Sequence, residues 1–392
     1  MKYLRTLSTR HLIVLVVAVL ALSGGGAAIA VAAGGGGGAT PAPKPLDQAI
    51  HDALTAPAPA GITARIKFTN RLFPSGALLG NVGSALMSGA SGRLWLSSDG
   101  GRIELQSDAG DAQIVWNKTT VSIYDASSNT VYRTNLPNDK GGASASNDKG
   151  APPALSEIDS FLSELGAHAT VSDAQPTNVA GQPAYNVSLS PKHDGGLLGS
   201  LQLAWDAAQG VPLRVAVYAQ GSSAPVLELT ATDISYGPVA ASDIQVSPPA
   251  DAKVVDLASP TKGESSSGGS SITGLAAVQA AAGFPVTAPD TLVGLPRKDV
   301  RLVGGSGSKA ALVVYGQGLG AIVLVERKAD SGGTAKGGLL SSLPSVSLDG
   351  VTAHELATQL GTVLEWQQGG VDYVLAGSLP PAAAETAARG LK

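Results

Sequence analysis

The sequence predicts a mainly β, α+β chain with antiparallel sheets. Short segments alternate apolar and polar residues, turn signals recur every 8–10 residues, and only a few segments carry helical periodicity. The alternation is clearest in residues 179–255, which read as a series of strands, each with one apolar and one mixed face. A sheet of this kind has one side to bury, and the chain offers few helices to bury it.

The elements follow in order. Residues 1–33 are a leader: Lys2, Arg5 and Arg10 precede the apolar run 12–22, residues 23–26 interrupt it, and residues 27–33 resume it. As far as Leu22 it reads as a signal-peptide core, with Ala30-Val31-Ala32 as a small-residue cleavage site. Through Ala33 it reaches the roughly 20 residues a bilayer requires. The resumption past the glycines favours an uncleaved single-pass anchor. With positive charge on its N-terminal side, either reading places the bulk of the chain outside the cytoplasm, secreted if the leader is cut. Residues 34–45 form a Gly/Pro/Ala tether, expected to be flexible. Residues 46–56 read as a helix with Leu46, Ile50 and Leu54 on one face, ended by Pro57 and Pro59.

Residues 62–70 alternate strictly, with Ile62, Ala64, Ile66 and Phe68 on one side. Strands follow at 94–96, 103–105, 112–116, 121–124 and 131–134, a meander by their spacing. Residues 138–150 are a polar loop. A helix spans about 156–165 with Leu155, Ile158, Leu162 and Leu165 as its stripe and Gly166 as its C-cap. The sheet resumes from about 168 to 255. The whole unit is 46–256, followed by a Ser/Gly-rich linker at 257–271. Residues 272–392 form a small α+β unit: a helix at 273–282, strands at 300–303, 310–315 and 321–326, a helix at 352–360, a hairpin of 363–367 and 371–376 across Gln368-Gly369-Gly370, and a closing helix at 381–391.

Composition excludes several function classes. Net charge is −4, and no basic patch with interleaved aromatics argues for nucleic acid. The chain has no cysteine, hence no thiol nucleophile, disulfide or lipobox. The five histidines lack metal-site spacing, and no nucleophile elbow is present. Residues 304–309 resemble a phosphate loop but lack its spacing and join strand to strand. Asp108 and Asp111 lack the further ligands of a calcium loop. Asp349, His354 and Glu355 make no acid–base set by spacing alone. No enzyme chemistry and no cofactor are expected.

Two uncharged apolar segments stand out: residues 77–89, with Leu78, Leu79, Val82, Leu86 and Met87, and residues 197–199. The first reads either as a helix closing the core or as a lid or membrane-touching loop over an apolar cavity.

Residues 91–137, SGRLWLSSDGGRIELQSDAGDAQIVWNKTTVSIYDASSNTVYRTNLP, resemble the first half of LolA-like lipoprotein-carrier domains. Val179-Ala180-Gly181-Gln182-Pro183-Ala184-Tyr185, the 203–206 strand, Val211-Pro212-Leu213-Arg214, Thr232-Asp233-Ile234 and the exit Pro248-Pro249-Ala250-Asp251-Ala252-Lys253-Val254 resemble the second half. The likeness covers about 46–256. It implies a curved, unclosed antiparallel half-barrel with helices in its concave side and an apolar cavity. The superfamily includes LolA, the LppX and LprG type of mycobacterial lipid and lipoglycan carriers, and RseB/MucB, a regulator of a membrane-bound anti-sigma factor with a smaller C-terminal domain. Residues 364–379 resemble a small domain of unknown function found C-terminal to such modules.

The resemblance implies that a lipid or lipoprotein acyl chain is held by the apolar face. Its expected lining is Ile66, Phe68, Leu94, Leu96, Ile103, Leu105, Ile114, Trp116, Leu201, Leu203, Val215, Val217, Leu227 and Leu229, under a lid carrying Leu78, Leu79, Leu86 and Met87. Scarce aromatics and abundant Gly and Ala leave room for a cavity; the alternative is a face packed tightly on helices. The arginine that holds the lid in some relatives has no assignable counterpart, Arg65, Arg93 and Arg102 being candidates by type only. An RseB/MucB-like sensor binding an envelope protein through residues 272–392, or a structural envelope protein without ligand, are the other readings.

Overall fold

The computed structural model describes residues 39–72, 89–108, 110–136, 153–192, 196–245, 247–256, 272–304, 309–329 and 343–391. They form two sheets, of 13 and 8 strands, each with its own apolar core. The fold is mainly β, as the alternation predicts.

The first sheet is built around β1 (Gly61–Asn70). On one side β1 pairs with β2 (Ala90–Ser97), which begins a meander through β3 (Gly100–Ser107), β4 (Gly110–Asn117), β5 (Thr120–Asp125) and β6 (Thr130–Asn135). On its other side β1 pairs with β12 (Leu227–Tyr236), which continues through β11 (Pro212–Ala219), β10 (Leu198–Asp206) and β9 (Gln182–Pro191). Short β7 (Ala169–Val171) and β8 (Gln175–Val179) both pair with β9. The pairing path ends at β7 and at β13 (Lys253–Asp256), so the sheet is open. Its strands pair antiparallel except at one edge, where β13 runs parallel to β6.

Register shifts bend the sheet. They lie between Arg65 and Ile66 in the β1–β12 ladder, and between Leu198 and Ser200 and between Ala204 and Trp205 in the β10–β11 ladder. Each adds an unpaired residue, which kinks the strand and raises its twist. At Gly92 the backbones of β2 and β3 crowd so closely that a Cβ would stand 1.8 Å from the Glu104 carbonyl oxygen. Only glycine permits that approach.

Two helices differ in detail from expectation. The first, α1 (Leu46–Thr55), buries Ala49, with Leu46 and Ala53, against Tyr185, Val187 and Trp205. The expected stripe of Leu46, Ile50 and Leu54 does not form, and Leu54 is 52% exposed. Small residues win the contact because they let the helix close on two aromatic rings. Next, α2 (Leu155–His168) runs through Gly166 rather than ending there, and it buries Ile158 while Leu155 and Phe161 stay exposed. A one-turn α3 (Ala241–Ile244) follows β12. The end of the expected flexible tether is also held in place: Tyr185 Oη donates to the Ala42 carbonyl at 2.6 Å, and Lys44 pairs with Asp52.

The second sheet runs β14 (Thr291–Leu292), β15 (Leu295–Val303), β16 (Ala310–Tyr315), β17 (Ile322–Lys328), β21 (Val371–Gly377), β20 (Gly361–Gln368), β19 (Val351–Thr358), β18 (Ser345–Leu348). Helices α4 (Leu275–Ala282) and α5 (Pro381–Arg389) complete its core. The helix expected at 352–360 is strand β19. Its residues favour helix as a local string, but Ala353 is fully buried and ladders form on both sides, to β18 and β20. Pairing across a buried sheet overrides that weak propensity.

In this core Glu326 is wholly buried. One carboxylate oxygen accepts from the Thr287 N–H at 2.8 Å; the other has no hydrogen-bond partner. Burial penalises the charged form and pushes its pKa up to about 7. The folded chain therefore holds a proton that the unfolded chain releases above its ordinary value of 4.5. Stability is fully present below that value and falls as pH rises through about 7, by about 3 kcal/mol at most. Urea unfolding followed by the near-ultraviolet signal of the stacked Trp366–Tyr373 pair should show this loss between pH 5 and 8. Glu326→Gln should flatten it.

Candidate functional site

The registers of the first sheet decide which side chains share a face. Ile62, Ala64, Ile66 and Phe68 of β1 stand opposite Leu96, Leu94, Gly92 and Ala90 of β2. Leu94 then faces Ile103, Ile103 faces Ile114, and Ile114 faces Ile123. On the other arm Phe68 faces Leu229, Leu229 faces Val215, Val215 faces Leu203, and Leu203 faces Val187. One unbroken apolar face thus crosses the sheet from β5 to β9.

The predicted lining residues that the structure describes all fall on this face. Ile66, Ile103 and Leu105 are buried; Phe68, Leu94, Leu96, Ile114, Trp116, Leu201, Leu203, Val215, Val217, Leu227 and Leu229 are half-buried. Leu78, Leu79, Leu86 and Met87, on the expected lid, lie outside the described residues. Sequence reasoning missed the extension onto Val121, Ile123 and Tyr132 of β5 and β6. It also missed Tyr185, Val187 and Leu189 of β9, although these alternate cleanly in the sequence.

The two arms differ in cover. The β9–β10 end lies under α1, and the turn after β10 completes that contact: Gly210, at φ +66°, approaches so closely that a Cβ would meet the Ala53 carbonyl at 2.2 Å. Buried Asp206 holds this turn. One oxygen accepts from the Ala208 and Gln209 N–H groups at 2.8 and 2.9 Å, the other from Tyr236 Oη at 2.7 Å. Burial first, then this bond, raises the Tyr236 pKa. Over β1–β4 the face is floored by small residues, with Ala64, Ala90, Gly92, Gly101 and Ala112 between the large ones. The Trp116 ring lies over Gly101, where a Cβ would stand 2.2 Å from Cζ2.

The opposite face is polar. Asp233, Arg65, Arg93, Glu104, Gln113 and Tyr124 face one another in a row across six strands. Arg102 also lies here, 4.9 Å over the Trp95 ring, contacting Glu104 and donating to the Asp243 carbonyl. Arg65, Arg93 and Arg102 therefore sit on the far side from the apolar face, which rules them out as side chains closing over it. A cavity of about 370 Å³ is bounded by Arg102, Glu104, Gln113 and Tyr124 of this polar side, by Leu105 and Ala112, and by the segment at Pro248 and Pro249. Its wall mixes charged and polar groups with apolar ones.

Among the described residues no cluster of His, Asp and Glu has metal-site geometry. His354 Nδ1 contacts the Leu343 carbonyl oxygen at 3.3 Å, and Lys309 donates to the Ala281 carbonyl at 2.7 Å. β15 and β16 form a hairpin on either side of residues 304–309, as expected of a strand-to-strand turn. No described helix is long and apolar enough to cross a membrane; the leader lies outside the described residues.

Gly101→Ala should cost about 1–3 kcal/mol by pushing the Trp116 ring off the sheet. In a Trp116→Leu background most of that cost should vanish, a coupling readable from urea midpoints.

No protein-family model matches the sequence, and no curated protein matches it significantly. Among solved structures the chain is similar to MucB in the Pseudomonas aeruginosa MucA/MucB complex, at 13% identity and a TM-score of 0.42, over 88% of this chain and 95% of that one. A further crystal structure of MucB is similar at 14% identity and a TM-score of 0.38, over 88% and 96%. A putative outer membrane lipoprotein-sorting protein domain from Vibrio parahaemolyticus is similar at 13% identity and a TM-score of 0.20, over 47% of this chain and 89% of that one.

Proposed function

We propose that this chain, an open antiparallel sheet of the LolA and MucB type, is an extracytoplasmic binding protein that holds a lipid or lipoprotein acyl chain against its apolar face. The observation that carries the reading is the uninterrupted apolar face of the first sheet, covered by α1 at its β9–β10 end and floored by alanine and glycine over β1–β4. Each methylene moved from water to such a surface gains about 0.8 kcal/mol, so ten of them supply about 8 kcal/mol, part of which offsets the entropy lost on association. No covalent step is needed. The expected lid, the anchor and the extracytoplasmic location belong to the same reading.

One contact favours a second reading, a sensor that passes occupancy of this face to a partner on the second sheet. The Leu197 N–H donates to Ser378 Oγ at 2.8 Å, and Gln359 Nε2 donates to the Arg71 carbonyl at 3.0 Å. Both bonds lie at the end of the apolar face that carries Phe68 and Leu227. Deleting residues 272–392 should then abolish partner binding and leave lipid binding intact.

Native mass spectrometry of the chain from Ala39 onward, with organic extraction, should find a co-purified acyl species. Leu94→Glu should weaken binding of a fluorescent fatty acid at least about tenfold, since a charge on the face must be desolvated. Thr63→Glu, on the polar face, should leave it unchanged. An empty protein whose probe binding ignores Leu94→Glu would overturn the acyl reading.

A further inference from the structure

The segment between leader and sheet is half the length it looks. Of the twelve residues 34–45, the last seven are described and held. Asn178 Nδ2 donates to the Ala39 carbonyl at 3.5 Å and Tyr185 Oη to the Ala42 carbonyl at 2.6 Å. Lys44 pairs with Asp52 and sits 5.7 Å from the centre of the Tyr185 ring. Tyr185 is itself buried, 3% exposed, so the bond to Ala42 comes from a fixed post. Pro41, Pro43 and Pro45 restrict the backbone and lower the entropy lost in holding it.

Asn178 and Tyr185 belong to β8 and β9, neighbours through the pairs Asn178 with Pro183 and Pro176 with Tyr185. The chain therefore crosses the β8–β9 end of the sheet and turns directly into α1, which lies on that same end of the apolar face. Only Gly34–Gly38 separates this docked stretch from the apolar leader. Five residues reach at most roughly 17 Å, whereas twelve free ones would reach roughly 40 Å.

We infer that the β8–β9 end of the first sheet, with the start of α1, is the surface that faces the bilayer holding the leader. The inference rests on reading residues 1–33 as an uncleaved anchor. Its consequence is a binding protein that works at its own membrane. A carrier that shuttles freely needs a cut leader or a long loose tether, and the docked residues remove the second.

The chain has no cysteine, so single cysteines can be introduced for labelling without removing any. Full-length protein is reconstituted into phosphatidylethanolamine–phosphatidylglycerol vesicles carrying a lipid-linked acceptor. A donor is placed at Gln175→Cys, exposed on β8, or at Lys253→Cys, exposed on β13 at the opposite edge of the sheet. Energy transfer should be at least roughly twofold greater from position 175, because a short tether fixes which edge lies near the lipid. Tyr185→Phe combined with Lys44→Ala keeps the buried ring but frees the tether, and should cut the position-175 signal by roughly half.

Equal transfer from both positions in vesicle-bound wild-type protein would overturn the orientation, whatever the double variant does. Failure of the full chain to float with vesicles would overturn it through the anchor. The acyl species sought by mass spectrometry is scored separately, so loss of the orientation and loss of the acyl reading give different results.

Discussion

Everything in the first sheet depends on strict register across a two-residue period. A slip of one residue in any ladder would send its apolar set to the polar side. From β5 to β9 the ladders keep Ile123, Ile114, Ile103, Leu94, Ala64, Leu229, Val215, Leu203 and Val187 on one side, and Arg65, Arg93, Glu104 and Gln113 on the other. The bulges add single residues without breaking this order, so the sheet bends while its faces stay sorted. That separation of faces makes a binding surface possible at all.

The same face is treated differently at its two ends. Under α1 it is finished as a core: Ala49 closes on Tyr185 and Trp205, Asp206 holds the turn beneath, and the chain from Ala39 to Pro45 is bonded over the edge. Over β1–β4 a floor of alanine and glycine lies among large residues, of which Ile66, Ile103 and Leu105 are buried and Phe68, Leu94, Leu96, Ile114 and Trp116 half-buried. The half-buried residues are the part of this face that the proposed acyl chain would cover. The second sheet is packed throughout, around Tyr315, Leu324, Leu364 and Leu375, and Glu326 is its one carboxylate without any exposure among the described residues.

The sequence announced most strands because their alternation is local. Residues 62–70 and the hairpin across Gln368-Gly369-Gly370 needed no partner to be recognised. It misled where local preference and long-range pairing disagree. Residues 352–360 carry helix formers, yet they form β19; the signal that could have corrected this is Asp349-Gly350, whose positive φ values of 52° and 93° make the β18–β19 hairpin turn. The stripe of α1 was misread because its true contacts, Ala49 and Ala53, are small residues that a hydrophobic count undervalues. The lid arginines were candidates by residue type, and only register shows that Arg65, Arg93 and Arg102 lie on the wrong side.

By itself the sequence determined the class of fold, the apolar set of each strand and the absence of cysteine and nucleophile motifs, because composition and a two-residue period are properties of the string. Tertiary structure decided which strands neighbour β1, where the bulges bend the sheet, that β13 closes the edge in parallel, and that the tether is docked on Tyr185. Each of those depends on contacts between residues distant along the chain. The bond from Tyr185 to Ala42 joins positions 143 apart, and nothing in either local string encodes it.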